Sequence, residues 1–305
     1  MRQSLSIYCS PTELRVLKGT VRAASVSVDS FLSANLPEGS MINGIVTSLD
    51  GMSRFLATMN QQFGPFKDDA TLIVDNNTIR SKRVVVPSVG SVAMADFVAR
   101  ELESLIEEDA NDVIDYTPLG KDEATGGTIA LGVVAGREQL DTYVRMVQQA
   151  GFNLKRVDVA INALIKVARL FSELQSGIKL LCYIDTNILN LVYYDQGAYL
   201  ISKKHRLIAA QDTDERRSEI SAHISAMLQF QKTQQRERVT EGIFFLGIPE
   251  HRVKRFAQSA MHLQTPICAL GMPTSVKLQS QAAFTSAEFS VSNYLLNIGC
   301  LLRKL

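Results

Sequence analysis

One stretch of the chain, residues 179–200, most restricts the folds that are open to it. It reads KLLCYIDTNILNLVYYDQGAYL, in which three short apolar runs are separated by Asp185-Thr186-Asn187 and by Asp195-Gln196-Gly197. Asp, Asn and Gly between β-branched and aromatic runs are typical of tight turns between antiparallel strands. The stretch therefore predicts a three-stranded meander whose polar turn at Asp185 can face a ligand.

A similar pattern opens the chain, where Leu5–Tyr8, Leu14–Lys18 and Val21–Val28 each have the composition of a strand. Helical periodicity follows in residues 50–63, 91–106, 137–150 and 217–234. Two halves that each begin with strand, turn, strand, turn, strand indicate a duplication at the level of the fold. The predicted fold class is α/β with mixed sheets, in two related domains.

Between the two halves, residues 82–152 predict the order strand, helix, strand, strand, helix. We expect this block to be an inserted α/β subdomain. The predicted boundaries are residues 1–81 for the first domain, 82–153 for the inserted subdomain and 154–290 for the second domain. Residues 291–305 are expected to form a C-terminal helix that packs back on the first domain.

Charge and cysteine usage argue against several classes of function. The 32 basic and 31 acidic residues give a formal net charge of +1, so no general attraction to nucleic acid is expected. No apolar run approaches the ~20 residues of a transmembrane helix, and the N-terminus lacks the pattern of a signal peptide. The four cysteines form no Cys-x-x-Cys pair, which predicts buried thiols in a reducing cytoplasm. The four histidines lack metal-ligand spacing, so no metal site is predicted.

The order of these blocks resembles the PilM-like type IV pilus assembly proteins of the actin-like ATPase superfamily. The resemblance covers nearly the whole chain and is clearest in AGREQLDTYVRMVQQAGFNLKRVDV, YIDTNILNLVYYDQGAYLISK and IFFLGIPE. It implies a two-domain actin-like fold, a ribonuclease H-like duplication with an inserted α/β subdomain. It also implies ATP and Mg²⁺ as cofactors, bound by two phosphate turns and an adenosine-side turn.

On this resemblance, the candidate nucleotide ligands are Ser10, Thr12, Asp185, Thr186, Asn187 and Gly247. Their turns depart from the superfamily pattern: the first has neither Asp nor Gly, the second keeps Asp185 without a Gly, and the third follows Gly247 with Ile and Pro. Glycine lets a backbone N–H approach a phosphate, and proline has no N–H. We therefore expect a degenerate site and a pseudo-ATPase without catalytic residues, and the binding of ATP and Mg²⁺ is left open.

Several residues have two interpretations. Asp185 can ligate Mg²⁺ through water, or it can bond its own backbone in a turn. Asp158 either matches the family's aspartate near the interdomain helix or caps the helix that begins near Ile161. Gly126-Gly127 fits a hairpin turn better than a phosphate loop. The basic residues 203–206 are interleaved with acidic residues farther along the chain, which favours a solvated edge.

The inserted subdomain offers a different kind of site. In the PilM-like family, the groove between this subdomain and the first domain takes the cytoplasmic N-terminal segment of an inner-membrane pilus protein. Extended peptides add to an exposed strand through main-chain hydrogen bonds. The candidate peptide-binding residues come from the predicted strand and helix that would border such a groove: Val84, Val85, Val86, Phe97, Arg100 and Glu101.

The favoured hypothesis is a cytoplasmic scaffold of a type IV pilus or related secretion machine, at the inner face of the cell membrane. It would bind the cytoplasmic tail of an inner-membrane partner, and assembly into a homo-oligomer is left open. One alternative is a working actin-like ATPase or kinase-like enzyme that uses Asp185 and the hydroxyls of Ser10 and Thr12. A further alternative is the cytoplasmic domain of a type II secretion platform protein.

Overall fold

The computed structural model describes residues 3–10, 12–22, 25–76, 78–88, 91–106, 111–234, 238–279 and 290–302. The chain divides into two compact units. The first runs to Val167 and includes the segments that begin at Thr274 and at Tyr294, whereas the second comprises Ala168–Pro273 and Ser290–Asn293. Each unit is built around its own mixed sheet.

The strands of the first unit form two sheets and a small hairpin. In chain order they are β1 (Gln3–Cys9), β2 (Glu13–Arg22), β3 (Ser25–Asn35), β4 (Met41–Ile42), β5 (Ile45–Val46), β6 (Asp69–Val74), β7 (Arg80–Val86), β8 (Asp112–Lys121), β9 (Thr128–Gly136) and β10 (Leu154–Val159). The second unit contains β11 (Ile178–Asp185), β12 (Ile188–Asp195), β13 (Ala198–Arg206), β14 (Gly242–Leu246) and β15 (Ile267–Ala269). The last strand, β16 (Val276–Leu278), belongs to the first unit and pairs with β3.

The helices connect these strands. They are α1 (Leu49–Phe63), α2 (Ser91–Glu101), α3 (Arg137–Gln149), α4 (Ala160–Ala168), α5 (Asp214–Gln234), α6 (Glu250–Ser259) and α7 (Leu295–Leu301). Short 3-10 turns occur at Glu103–Leu105, Ser172–Leu174, Met261–Leu263 and Val291–Tyr294.

The two main sheets have the same topology. The first has the order β10-β6-β1-β2-β3, extended by β16, and the second has the order β15-β14-β11-β12-β13. In both, the first strand is antiparallel to the second and parallel to the strand that follows the next helix. Tyr8 of β1 lies opposite Ile73, as Tyr183 of β11 lies opposite Leu246. This correspondence confirms the predicted duplication.

The core of the first unit lies between its sheet and the helices α1 and α3. Strand alternation turns Leu5 and Ile7 of β1 toward Met52 of α1 and toward Tyr143 and Met146 of α3. Burying such side chains contributes about 25 cal/mol per Å² of apolar surface. Helix α3, which the sequence analysis places in the inserted subdomain, therefore packs its apolar face on the first sheet.

The second unit repeats this arrangement with its own helices. Leu180 and Cys182 of β11 pack with Ile220 and Ile224 of α5, in a cluster that also takes in α6. Phe256 of α6 meets Phe245 of β14 edge to face, with ring centroids 5.0 Å apart. The Asp185 turn thus follows a strand that is fixed by a packed core.

The inserted layer is a three-stranded sheet of order β7-β9-β8. Helix α2 covers one face through a cluster that includes Val84, Val86, Val98 and Leu102. Gly132 of β9 lets α2 approach, because a Cβ at that position would lie 2.8 Å from a methyl carbon of Leu102. The β8–β9 connection at Gly126-Gly127 is a hairpin turn, in agreement with the sequence analysis.

The C-terminal helix α7 is buried along its whole length and packs on β1, β2 and β6. Asn297 donates from Nδ2 to the carbonyl oxygens of Ser6 and Arg15, both at 3.1 Å. Gly299 lies directly on α4, since an added Cβ would be 2.0 Å from the carbonyl oxygen of Ala163. Helix α7 is therefore an integral part of the first unit.

Some predicted elements are corrected. Val21 belongs to β2, and the third strand runs from Ser25 to Asn35 because its alternation continues beyond Val28. The helix expected to begin near Ile161 begins at Ala160 and ends at Ala168, whose carbonyl accepts a hydrogen bond from Gln175 Nε2. Among the described residues, no helix is both long and apolar enough to cross a bilayer.

The cysteines also differ from one another. Cys9, Cys182 and Cys300 are buried, whereas Cys268 is exposed on the short edge strand β15. The prediction of a buried thiol is wrong for Cys268 because an edge strand has only one neighbouring strand. Burial raises the pKa of Cys9 to about 12, so that thiol stays protonated at neutral pH.

Candidate functional site

The β1–β2 turn holds Ser10 and Thr12. Ser10 is fully buried, and its Oγ accepts the backbone N–H groups of Glu13 at 2.9 Å and Thr12 at 3.4 Å. The backbone N–H of Ser10 donates to the carbonyl of Glu13 at 2.8 Å. Thr12 is exposed, and Pro11 lies outside the described residues. The amides with which this turn would bind a phosphate are therefore bound to a serine hydroxyl.

The β11–β12 turn is formed by Thr186 and Asn187, directly after Asp185. Asp185 is 5% exposed, and the Thr186 hydroxyl donates to its Oδ1 at 3.4 Å. Thr186 has a φ of 53°, in the left-handed region that β-branched residues rarely adopt. The Oδ1 atom of Asn187 is buried and, within the described part of the chain, accepts no hydrogen bond.

Gly247 follows β14, which runs parallel to β11, so it lies at the same edge of the second sheet as Asp185. It needs a positive φ of 86°, and an added Cβ would be 3.3 Å from the Tyr183 ring. Pro249 then takes the N-cap position of α6 and has no N–H to offer. The structure thus brings together Asp185, Thr186, Asn187 and Gly247 within one unit.

Helix α5 adds two residues to this site that the sequence analysis missed. Arg216 is 6% exposed and donates to the carbonyl oxygens of Thr186 at 2.6 Å and Ala209 at 3.0 Å. Glu219 accepts the backbone N–H groups of Ile208 and Ala209. Burial lowers the pKa of Arg216, and the nearby Glu219 opposes that shift. The sequence could have indicated both residues, because Arg216 and Glu219 lie within one helical turn of the buried Ile220.

Asp158 is the next-to-last residue of β10, and its carboxylate is bound to side chains of the following helix, α4. Its Oδ1 accepts from the backbone of Val159 at 2.8 Å and from Asn162 Nδ2 at 2.7 Å, and its Oδ2 accepts from Lys166 Nζ at 2.7 Å. The side chains of Lys166 and Asp158 are 17% and 13% exposed. These bonds favour the structural interpretation of Asp158, at the start of α4, over the metal-ligating one.

The donor set of these turns fits nucleotide phosphates poorly. Phosphate oxygens require N–H or cationic donors. The amides near Ser10 are bound to its hydroxyl, the guanidinium of Arg216 to two carbonyls, and the ammonium of Lys166 to Asp158. The Asp185 carboxylate and the Asn187 Oδ1 atom are hydrogen-bond acceptors, so they suit a cation and not a phosphate oxygen. No phosphoryl-transfer step is assigned to these residues.

The candidate peptide-binding residues of the inserted sheet fall into two groups. Val84 and Val86 are 3% and 0% exposed and belong to the core beneath α2, whereas Val85 is half-buried on the opposite face. Phe97 packs partly on that core. Arg100 and Glu101 are exposed, and Lys82 binds the Glu101 carboxylate at 3.1 Å.

Strand β7 therefore offers its backbone edge and not side-chain pockets at Val84 and Val86. In the described ranges, β9 is the one strand that pairs with β7, and no strand pairs with its other edge. An unpaired edge presents main-chain donors and acceptors to an extended peptide. The sequence pattern located this strand, but it did not reveal which of its faces α2 covers.

A cleft of about 640 Å³ lies where the inserted sheet joins α3. Arg137 ties the two together, since its Nε donates to Asn111 Oδ1 at 3.1 Å and its backbone N–H to the Asn111 carbonyl at 3.0 Å. The cleft carries charges of both signs; its lining residues are Asn111, Arg137, Glu138, Asp141, Val144 and Arg145. This cleft is not among the sites expected from the sequence.

Similar folds occur among solved structures, although no protein-family model and no curated protein matches the sequence. A PilM–PilN type IV pilus biogenesis complex matches with a TM-score of 0.79 and 14% identity, over 98% of this chain and 97% of that chain. A Bacteroides thetaiotaomicron protein of unknown function with an actin-like ATPase fold has a TM-score of 0.56 and 9% identity, over 97% and 95%.

The cytoplasmic domain of EpsL, an inner-membrane component of the Vibrio cholerae type II secretion system, matches with a TM-score of 0.51 and 11% identity, over 99% of this chain and 96% of that chain. The fold is therefore that of the actin-like ATPases. This confirms the fold expected from the resemblance to PilM-like proteins.

Proposed function

We propose that this chain is a cytoplasmic scaffold of a type IV pilus or related secretion machine, located at the inner face of the cell membrane. It binds the cytoplasmic tail of an inner-membrane partner and does not hydrolyse ATP. The likeness to the PilM–PilN complex over 98% of the chain supports a pilus role, and the weaker likeness to the EpsL domain supports the wider class of secretion machines.

One observation supports the nucleotide-independent part of the proposal. The polar groups that would contact phosphate in both halves are hydrogen-bonded to the protein itself, through the Ser10 hydroxyl and through Arg216. A ligand would have to break these bonds before it could form its own, which lowers its net affinity. We expect at most weak nucleotide binding and no turnover.

The proposed tail site is the inserted sheet. A tail in extended conformation adds to the open edge of β7, where main-chain hydrogen bonds give affinity for many sequences. The side chains that border this edge then select among tails: Val85 from the strand, and Phe97, Arg100 and Glu101 from α2. The cleft at Arg137 and Arg145 is the second location that a tail can occupy.

Isothermal titration tests the proposal with synthetic peptides that cover the cytoplasmic tails of the inner-membrane proteins encoded alongside this chain. We expect one tail to bind with micromolar affinity. Val85→Asp should weaken that binding at least tenfold, because it places a charge beside the open edge. Lys277→Glu, an exposed change on β16, is the control and should have no effect.

The outcomes separate the parts of the proposal. Loss of binding in Arg145→Glu, with no loss in Val85→Asp, would move the tail from β7 to the cleft beside α3. Failure of every tail peptide to bind would overturn the scaffold role. ATP turnover that disappears in Asp185→Ala would instead establish the enzyme alternative.

A further inference from the structure

One guanidinium group joins three segments of the second unit. Arg216, in the first turn of α5, donates from Nη2 to the carbonyl of Thr186 and from Nη1 to the carbonyl of Ala209. Its backbone N–H is capped by the Thr213 hydroxyl at 3.1 Å. Because the side chain is 6% exposed, these bonds are shielded from water and are strong.

Glu219, one turn farther along α5, completes the arrangement. Its carboxylate accepts the N–H of Ile208 at 2.8 Å and the N–H of Ala209 at 3.1 Å. The N–H of Leu207 donates to the Asn187 carbonyl at 2.7 Å. Residues 207–209 are thus bound to the Asp185 turn on one side and to α5 on the other.

The turn needs such support. Thr186 is β-branched and has a φ of 53°, a conformation that such a residue keeps only when its surroundings impose it. Arg216 binds the carbonyl of this same residue. In GTPases, contacts with the γ-phosphate and its Mg²⁺ order the switch loops. Here a side chain of the protein itself supplies an ordering contact to the turn.

We infer that Arg216 is a positioning residue that fixes the Asp185 turn without nucleotide, so that the second unit does not change state with ATP. This inference adds to the proposed function. What it predicts for tail binding rests on the proposed function. The planar fork of arginine reaches both carbonyls at once, whereas a lysine ammonium is a point donor on a flexible stem. Arg216→Lys should therefore keep the charge but lose the simultaneous hydrogen bonds to the carbonyls of Thr186 and Ala209.

Hydrogen exchange of the full chain, followed by mass spectrometry, tests the inference. In Arg216→Lys and Arg216→Ala, exchange should rise roughly tenfold in residues 183–190 and 207–210, since local opening there becomes easier. Lys232→Ala, an exposed change in the last turn of α5, is the matched control and should leave both segments unchanged. Saturating Mg·ATP should not slow exchange of the turn in the unchanged protein.

A double variant separates positioning from general support. Glycine adopts a positive φ without strain, so the turn of Thr186→Gly needs less support. The double variant Thr186→Gly/Arg216→Lys should therefore show a smaller rise in exchange of the turn than Arg216→Lys alone. An equal rise throughout the second unit would show general destabilisation and overturn the inference. If Arg216→Ala does not fold, Arg216→Lys decides.

Slower exchange of the Asp185 turn with Mg·ATP in the unchanged protein would also overturn the inference about Arg216. The proposed function has its own test and is overturned when no tail peptide binds. If the tail binds and the inference holds, its affinity should be the same with and without Mg·ATP.

Discussion

The two halves of the molecule share one strand order but have diverged at corresponding positions. Between β6 and α3 the first half carries the whole inserted sheet, whereas only residues 247–249 separate β14 from α6 in the second. Duplicated units tolerate insertions where the chain leaves a strand end for a surface loop. The first half therefore has an additional layer with its own surface, whereas the second half has only the strands and helices that the two halves share.

The turns of the two halves differ in a second way. Ser10 and Asp185 each lie two residues after the equivalent tyrosines Tyr8 and Tyr183, and both are nearly fully buried. In the first half the serine hydroxyl accepts the amides of the turn, whereas in the second Arg216 donates to a turn carbonyl. The polar groups of the two corresponding turns are thus hydrogen-bonded within the chain by different chemistry.

The largest effect on stability is expected at Gly299, where α7 packs on α4. Gly299→Ala places a Cβ 2.0 Å from the Ala163 carbonyl oxygen, so α7 must move away from α4. We expect a loss of about 3 kcal/mol in the free energy of unfolding, measured by urea denaturation. Gly271→Ala, which has no neighbour within 4 Å, is the control. Equal stability of both variants would show that α7 does not pack on α4 as described.

The next effect concerns Asp158, whose carboxylate is bound to Asn162 and Lys166 of α4. Lys166→Met leaves the mostly buried carboxylate of Asp158 without its cation, which should cost about 2 kcal/mol of unfolding free energy. The isosteric Asp158→Asn keeps the hydrogen bonds to α4 in part and should cost less. If Lys166→Met were instead neutral, and Mg²⁺ raised the stability of the unchanged protein, the metal-ligating interpretation of Asp158 would be restored.

A smaller, stabilising effect is expected at the second turn. Thr186→Gly removes a β-branched residue from a φ of 53°. The relief is partly offset by the greater freedom of glycine in the unfolded chain, which leaves a net gain of about 0.5 kcal/mol. Chemical denaturation measures it, with Thr213→Gly expected to destabilise because Thr213 caps α5. A destabilised Thr186→Gly variant would mean that the hydroxyl matters more than the backbone.

The smallest effect is a pH dependence confined to the second half. His205 of β13 stacks on His223 of α5 with ring centroids 4.0 Å apart, and burial, then His223 and Lys203, lower the pKa of His205. Since the unfolded chain binds the proton more readily, stability should fall as the pH drops from about 6.5 through the lower folded value.

We expect this loss to be a few tenths of a kcal/mol, because His205 is partly solvated. The measurement is the difference in unfolding free energy between about pH 7.5 and about pH 5.5. His205→Phe keeps a stacked ring that cannot titrate, so it should show a smaller difference. An unchanged difference would assign the pH dependence to other groups, such as Glu219.

Local patterns predicted much of the fold. The meanders around Tyr8 and Tyr183 could be predicted because turn residues and strand alternation are encoded within a few neighbouring positions. The contact of Arg216 with Thr186 could not, since it joins residues 30 positions apart along the chain. Likewise, alternation identified β7 as a strand, but only the packing of α2 shows that Val84 and Val86 belong to a core and that Val85 does not.

The most direct test of the account measures tail binding and nucleotide binding in the same titration. The tail peptide that binds is titrated into the full chain with and without Mg·ATP, and Mg·ATP is titrated alone. The account predicts the same Kd for the tail in both conditions, and no turnover of ATP. A tail that binds only in the presence of Mg·ATP, or ATP hydrolysis that the tail stimulates, would contradict it.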